Sequence, residues 1–202
     1  MTRDHGVPVF ILLFLITALL LPSGARAEVE PARGAAGKGS VTGLAVIYRN
    51  GVDHARQGHF KEAAAEFSLL NKAEQMDVPL KEVLKAVEDA DARRLDRKAV
   101  ARLFKGIYSF SSGDYLMAMD ELSRATELDP SMSLAYFYRA GIYIAVGQNA
   151  NAVSELDMAI DLNPEFAFAY STRGAALYKI LEFKKALFDF NRAIVIDPSL
   201  AT

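Results

Sequence analysis

Few residues in this 202-residue sequence are of types that do chemistry, and their spacing works against it. There are three histidines, His5, His54 and His59, and no cysteine. The lack of cysteine excludes thiolate ligation and disulfides. His54 and His59 are five residues apart, which does not put them on one helix face, so they do not read as a metal pair. Gly37-Lys38-Gly39-Ser40 has the residue types of a phosphate loop. It lacks the G-x-x-x-x-G-K-[ST] spacing, and no strand pattern precedes it. No Ser-His-acid arrangement and no paired-carboxylate motif is present. The sequence therefore predicts no catalytic residue, no metal site and no cofactor: a non-enzyme. A net charge of −2 argues against nucleic acid as a partner, because phosphate contacts need a basic excess.

One charge pattern does recur. Lys105, Arg139 and Arg173 each stand 16 residues before an acid, namely Glu121, Glu155 and Asp189. In a helical hairpin this spacing sets a base on the first helix against an acid on the second. The expectation is a structural ion pair in every unit, and the alternative is a basic ladder for an acidic ligand.

The elements that carry these charges repeat with a period of 34. Pro130, Pro164 and Pro198 each follow Asp129, Asn163 or Asp197. Counting back gives units 99–132, 133–166 and 167–202. Position 8 of a unit is small (Gly106, Ala140, Gly174), as are position 20 (Ala118, Ala152, Ala186) and position 27 (Ala125, Ala159, Ala193). Position 24 is large and apolar: Leu122, Leu156, Phe190. Small residues let helices approach, and the large one fills what space remains. One such unit cannot bury its own apolar face, so stacked neighbours must supply a continuous core. Gly113 and Gly147 mark the turns between helices of about 13 and 14 residues, with Asp114 and Asn149 at the starts of second helices, where they cap well. Leu181 takes the turn place in the last unit, which predicts a tighter or shifted turn there.

In the last unit, Tyr170-x2-Arg173-Gly174, Ala186-x3-Phe190, Ala193 and Pro198 resemble the tetratricopeptide repeat, a helix-turn-helix unit. Three copies in register carry the resemblance over about half of the chain. It implies an all-α, right-handed solenoid with a concave groove that holds peptides or partner proteins. It also implies which residues face that groove, at positions 2, 5, 9 and 12 of the first helices. These are Val100, Leu103, Ile107 and Phe110; Leu134, Phe137, Gly141 and Ile144; and Phe168, Ser171, Ala175 and Tyr178. The set lacks the Lys/Asn/Arg pattern with which family members clamp a C-terminal carboxylate, so an apolar or aromatic groove is expected. The alternative for each of these residues is a place in the core.

Gly51, Gly58-His59-Phe60, Ala63 and Phe67 match the same positions in a degenerate unit over 44–77, with departures at Leu70 and Gln75. A charged helical insert over 78–98 follows. Leu80, Val83, Leu84 and Val87 predict one amphipathic helix there. Whether the insert is a divergent repeat or a long helix running into the next unit stays open.

The N-terminus reads as a targeting segment. A short start with Arg3 precedes an apolar run, Val7 to Leu21, and the small residues of Ala25-Arg26-Ala27 follow. This is the order of a secretory signal peptide over 1–27, and the apolar run is shorter than the roughly 20 residues of a membrane span. Cleavage after Ala27 would leave net charge −3 and a flexible linker over 28–43. An exported, periplasmic or secreted protein without a stable membrane span is expected; the alternative is a chain tethered by an uncleaved signal anchor.

The last helix differs from its predecessors. Phe188 and Val195 stand where the earlier units have Asp120 and Glu127, then Ser154 and Asp161. Four residues after Pro198 are too few for another helix. An end contact at Phe188 and Val195 is therefore expected, either with a partner or in a homo-oligomer. The functional expectation is a protein-interaction scaffold, and its alternative is a structural subunit that self-associates through the solenoid ends.

Overall fold

The computed structural model describes residues 41–70 and 79–201. The signal-peptide expectation (1–27) and most of the expected linker lie outside the described residues. Among those described there are nine α-helices and no strand. They are α1 (Val41–Arg56), α2 (Phe60–Leu70), α3 (Leu80–Asp91), α4 (Arg97–Ser111), α5 (Tyr115–Leu128), α6 (Ser133–Ala145), α7 (Asn149–Leu162), α8 (Ala167–Lys179) and α9 (Phe183–Ile196), followed by a 3-10 turn, Pro198–Ala201.

The prolines set the repeat by backbone sterics. The residue before a proline is pushed out of the helical region. Asp129, Asn163 and Asp197 accordingly leave α5, α7 and α9 with φ near −140° (−145°, −139°, −133°) and ψ near 90°. Asp129 Oδ1 then accepts from Ser131 N (3.0 Å), and Asp197 Oδ1 from Ser199 N (3.0 Å). The same turn therefore closes successive units.

Each pair of helices packs as a hairpin: α1 with α2, α4 with α5, α6 with α7, and α8 with α9. The small residue at position 8 makes this possible. A methyl group on Gly106 would lie 2.6 Å from Leu122, and one on Gly174 would lie 2.9 Å from Phe190. In the degenerate unit a methyl on Gly51 would meet Phe67 at 2.6 Å, so that hairpin is built in the same way. Second helices then receive the next first helix, α5 against α6 and α7 against α8. The arrangement is an all-α helical-hairpin solenoid with one continuous core, whose largest fully buried side chains include Phe60, Phe67, Phe104, Phe166, Leu122 and Leu156.

Three local outcomes differ from the sequence expectations or decide between them. The turn at Leu181 is neither tightened nor shifted. Leu181 adopts φ 66°, the conformation that Gly113 (80°) and Gly147 (78°) take in the other units. Asn149 is the first residue of α7 rather than its cap, and Gln148 precedes it without a capping side-chain hydrogen bond. Asp114 does cap α5, accepting from Met117 N at 3.0 Å. The charged insert is not one long helix running into the next unit. Helix α3 stops at Asp91, and Asp96 caps a separate α4 by accepting from Lys98 N (2.7 Å) and Ala99 N (2.9 Å).

Candidate protein-binding face

The sequence-expected groove residues divide into two groups. Val100, Leu103 and Ile107 on α4, and Leu134 and Phe137 on α6, are buried. Phe137 lies against Phe166, with ring centroids 5.0 Å apart. Ile144, Phe168 and Ser171 are half-buried, and Tyr178 is 56% exposed.

The helices that bear the buried group pack against the chain's own N-terminal part. Helix α1 packs on α4, and α3 packs on α2, α4 and α6. Arg56 lies over the Tyr108 ring (4.6 Å), Phe67 stacks on Phe104 (5.9 Å), and Arg97 donates to Gly58 O (3.2 Å). Tyr48 and Tyr138, 90 residues apart, share a hydrogen bond of 3.3 Å between their hydroxyls. Burial disfavours the phenolate and pushes the pKa of both phenols up, that of Tyr138 well above its ordinary value. Sequence periodicity indicated that α3 has an apolar face, but it held no signal for which helices that face covers.

The recurring charges form ion pairs across the hairpins. Arg139 Nη2 meets Glu155 Oε1 at 2.8 Å. Arg173 meets Asp189 through two hydrogen bonds of 2.8 Å and reaches Asp157 at 2.7 Å. In the first unit the base is not Lys105, which is exposed. Arg102, three residues earlier and so on the same helix face, donates to both Glu121 oxygens at 3.0 and 2.8 Å. Burial raises the Glu155 carboxyl against the lowering effect of Arg139, and Arg139 Nε and Glu155 Oε2 are buried without a hydrogen-bond partner. The acids are engaged on their own hairpins, so these bases do not stand as a free ladder.

A shallow cavity of about 440 Å³ lies beside Arg173, lined by Val153, Leu177, Lys184, Lys185 and Phe188 among others. Phe188 is 66% exposed and Val195 71%. With Phe183 and Leu187 also exposed, α9 presents an apolar surface, and at the places of Phe188 and Val195 α5 and α7 carry Asp120, Glu127, Ser154 and Asp161. The His54 and His59 rings lie 6.2 Å apart, and no group of three or more potential metal ligands occurs among the described residues. Among those residues, too, no helix is long and apolar enough to cross a membrane.

No family model and no curated protein sequence matches the chain. Solved structures do. The first TPR of Spaghetti (RPAP3) bound to HSP90 peptide SRMEEVD is 29% identical, with a TM-score of 0.51 over 53% of this chain and 88% of that one. The Arabidopsis OM64 TPR domain is 20% identical, with a TM-score of 0.50 over 52% and 88%. The crystal structure of MamA protein covers 78% of this chain and 93% of its own, at 21% identity and a TM-score of 0.47. The fold of the chain is that of tetratricopeptide repeat domains.

Proposed function

We propose that the chain is an exported, non-catalytic scaffold that holds a peptide or protein partner on the first-helix face of its repeats. The observation that carries this reading is the patch of Ile144, Phe168, Ser171 and Tyr178. These residues lie at the groove positions of the repeat and, with Phe110, Gly141 and Ala175, are left at least partly accessible. Binding there would draw on apolar burial, as in other groove-and-ligand pairs. The RPAP3 domain, whose structure holds the acidic peptide SRMEEVD, supports peptide capture by this fold. The groove positions here carry no Lys or Arg, so an apolar segment rather than an acidic tail suits them. Tyr178→Ala should weaken capture of the partner while costing little stability, and adding Phe168→Ala should abolish capture at some cost in melting temperature, because Phe168 also packs against the core. Equal capture by wild type and variant would contradict the reading.

Export rests on the apolar run Val7 to Leu21 and on Ala25-Arg26-Ala27. The mature N-terminus is then Glu28, and intact-mass analysis checks it. Retention of residues 1–27 on a membrane-bound form would replace export with tethering by an uncleaved anchor.

A second reading, self-association, is favoured by one specific observation. The face of α9 that bears Phe188 and Val195 is exposed and apolar where the earlier second helices are polar.

A further inference from the structure

Helix α3 packs chiefly on α2 and also reaches the first helices α4 and α6. Of the groove positions of α4 and the first two of α6, Val100, Leu103, Ile107, Leu134 and Phe137 are buried and Phe110 is half-buried. The inward face of α3 carries Val83, Ala86, Val87 and Ala90, all buried, with Leu80 and Leu84 half-buried against the same core. Its outward side chains, Lys81, Lys85 and Glu88, are exposed and charged. No hydrogen bond or ion pair among the described residues joins the side chains of Leu80 to Glu88 to the repeats. The polar links lie at the far end of the helix, where Arg97 donates to Ala90 O (3.4 Å) and meets Asp91 (3.7 Å). Near the other end, the seat is incomplete: a cavity of about 290 Å³ opens between Lys81, Glu82 and Lys85 of α3 and Asn163 and Glu165. The joint after α3 runs through exposed Ala92, Arg93 and Arg94, with Arg93 at φ 58°. An element with a polar anchor at one end only and an exposed joint opens locally more readily than the repeats themselves.

We propose that α3 is an intramolecular occupant of the groove, and that the ligand it stands in for is an amphipathic helix with aliphatic residues at i, i+3, i+4 and i+7. This rests on the scaffold reading above and names the partner's chemistry. A helix laid in a groove reads i, i+3, i+4, i+7 anchors, and α3 supplies that pattern in cis. Self-occupancy lowers the apparent affinity for the ligand by the fraction of molecules whose groove is open.

The test uses the full chain and a fluorescein-labelled peptide of residues 79–92 as the probe. In native-state hydrogen exchange of the wild type, α3 amides should exchange about ten-fold faster than those of α4 to α7, since local opening precedes global unfolding. Val83→Asp with Val87→Asp, which expels α3, should bind the peptide about ten-fold more tightly than wild type, because the groove is no longer occupied. Lys85→Pro breaks α3 without placing a charge in the groove and should behave in the same way. Exchange of α3 at the rate of α4 and α6 would overturn the proposal, as would peptide binding that neither variant improves, or loss of α4–α9 helicity in both. Each of these outcomes makes α3 a fixed part of the stack and leaves the scaffold reading standing on Phe168 and Tyr178.

Discussion

Arg173 grips Asp189 across the α8–α9 hairpin, Nε to Oδ2 and Nη2 to Oδ1, both at 2.8 Å, and Asp189 is only 1% exposed. The bidentate geometry satisfies a carboxylate that water cannot reach, and a third bond to Asp157 ties α8 to the preceding second helix. These hydrogen bonds, first those with Asp189, hold the guanidinium above its ordinary value. Arg173→Ala would leave a buried charge unpaired, at a cost of about 3 kcal/mol. Arg139→Ala should cost less, because Glu155 keeps more access to water, and should leave partner capture unchanged. Urea denaturation of both variants measures the order. An equal loss for the two would contradict the role assigned to the Asp189 burial.

Leu181 holds a turn that suits glycine. A left-handed backbone costs a residue with a side chain about 1–2 kcal/mol, whereas glycine loses roughly 0.5–1 kcal/mol more entropy on folding. Leu181 is also exposed, so its side chain returns little. Leu181→Gly should raise stability by about 0.5 kcal/mol, read as a higher melting temperature. A lower one would mean that the Leu181 side chain packs on something that stabilises α9.

These two features also mark how far the sequence was legible. The prolines, the small residues at positions 8, 20 and 27 and the base-acid spacing of 16 follow from local sterics and helical period, and they located the hairpins and two of the three ion pairs. The pairing of Glu121 was misread because Arg102 and Lys105 share a helix face, and spacing alone does not choose between them. Leu181 was misread because a conformation that glycine prefers is not closed to leucine when the flanking helices fix the turn. The position of α3 was not legible at all. Periodicity tells which side of a helix is buried, but not that this side meets α6 as well as its sequence neighbours α2 and α4. For that reason the groove at Val100, Leu103, Ile107, Leu134 and Phe137 could be read equally as open surface or core.

Glu82 gives the α3 seat a pH dependence. Burial raises its carboxyl above the ordinary 4.5; its own backbone amide, Lys81 and Lys85 act in the lowering direction, and Asp197 in the raising one. A raised carboxyl binds its proton more tightly in the folded chain than in the unfolded one. Its stabilising contribution is therefore complete below 4.5 and is lost as pH rises through the folded value. Glu82→Gln should match wild type in acid and become the more stable of the two towards neutral pH, in denaturation curves taken across that range. Parallel curves would contradict the burial of Glu82.

The apolar surface of α9 predicts an association that concentration reveals. Burying Phe188 and Val195 against a second surface could contribute roughly 1.5–3 kcal/mol each. Phe188→Ser with Val195→Asp restores the polarity of the second unit and should shift light-scattering mass towards the monomer at high concentration. Identical masses for wild type and double variant, with the same partners captured equally, would mean that this face makes no contact.

The central claim, that the chain holds its partner on the first-helix face, is tested most directly by site-specific photo-crosslinking in the full chain. A photoreactive residue at Tyr178 should yield a discrete crosslinked protein. The same group at Leu116, which is 88% exposed on the second helix α5, should yield none. Equal crosslinking from both positions, or crosslinking from Leu116 alone, would contradict the account.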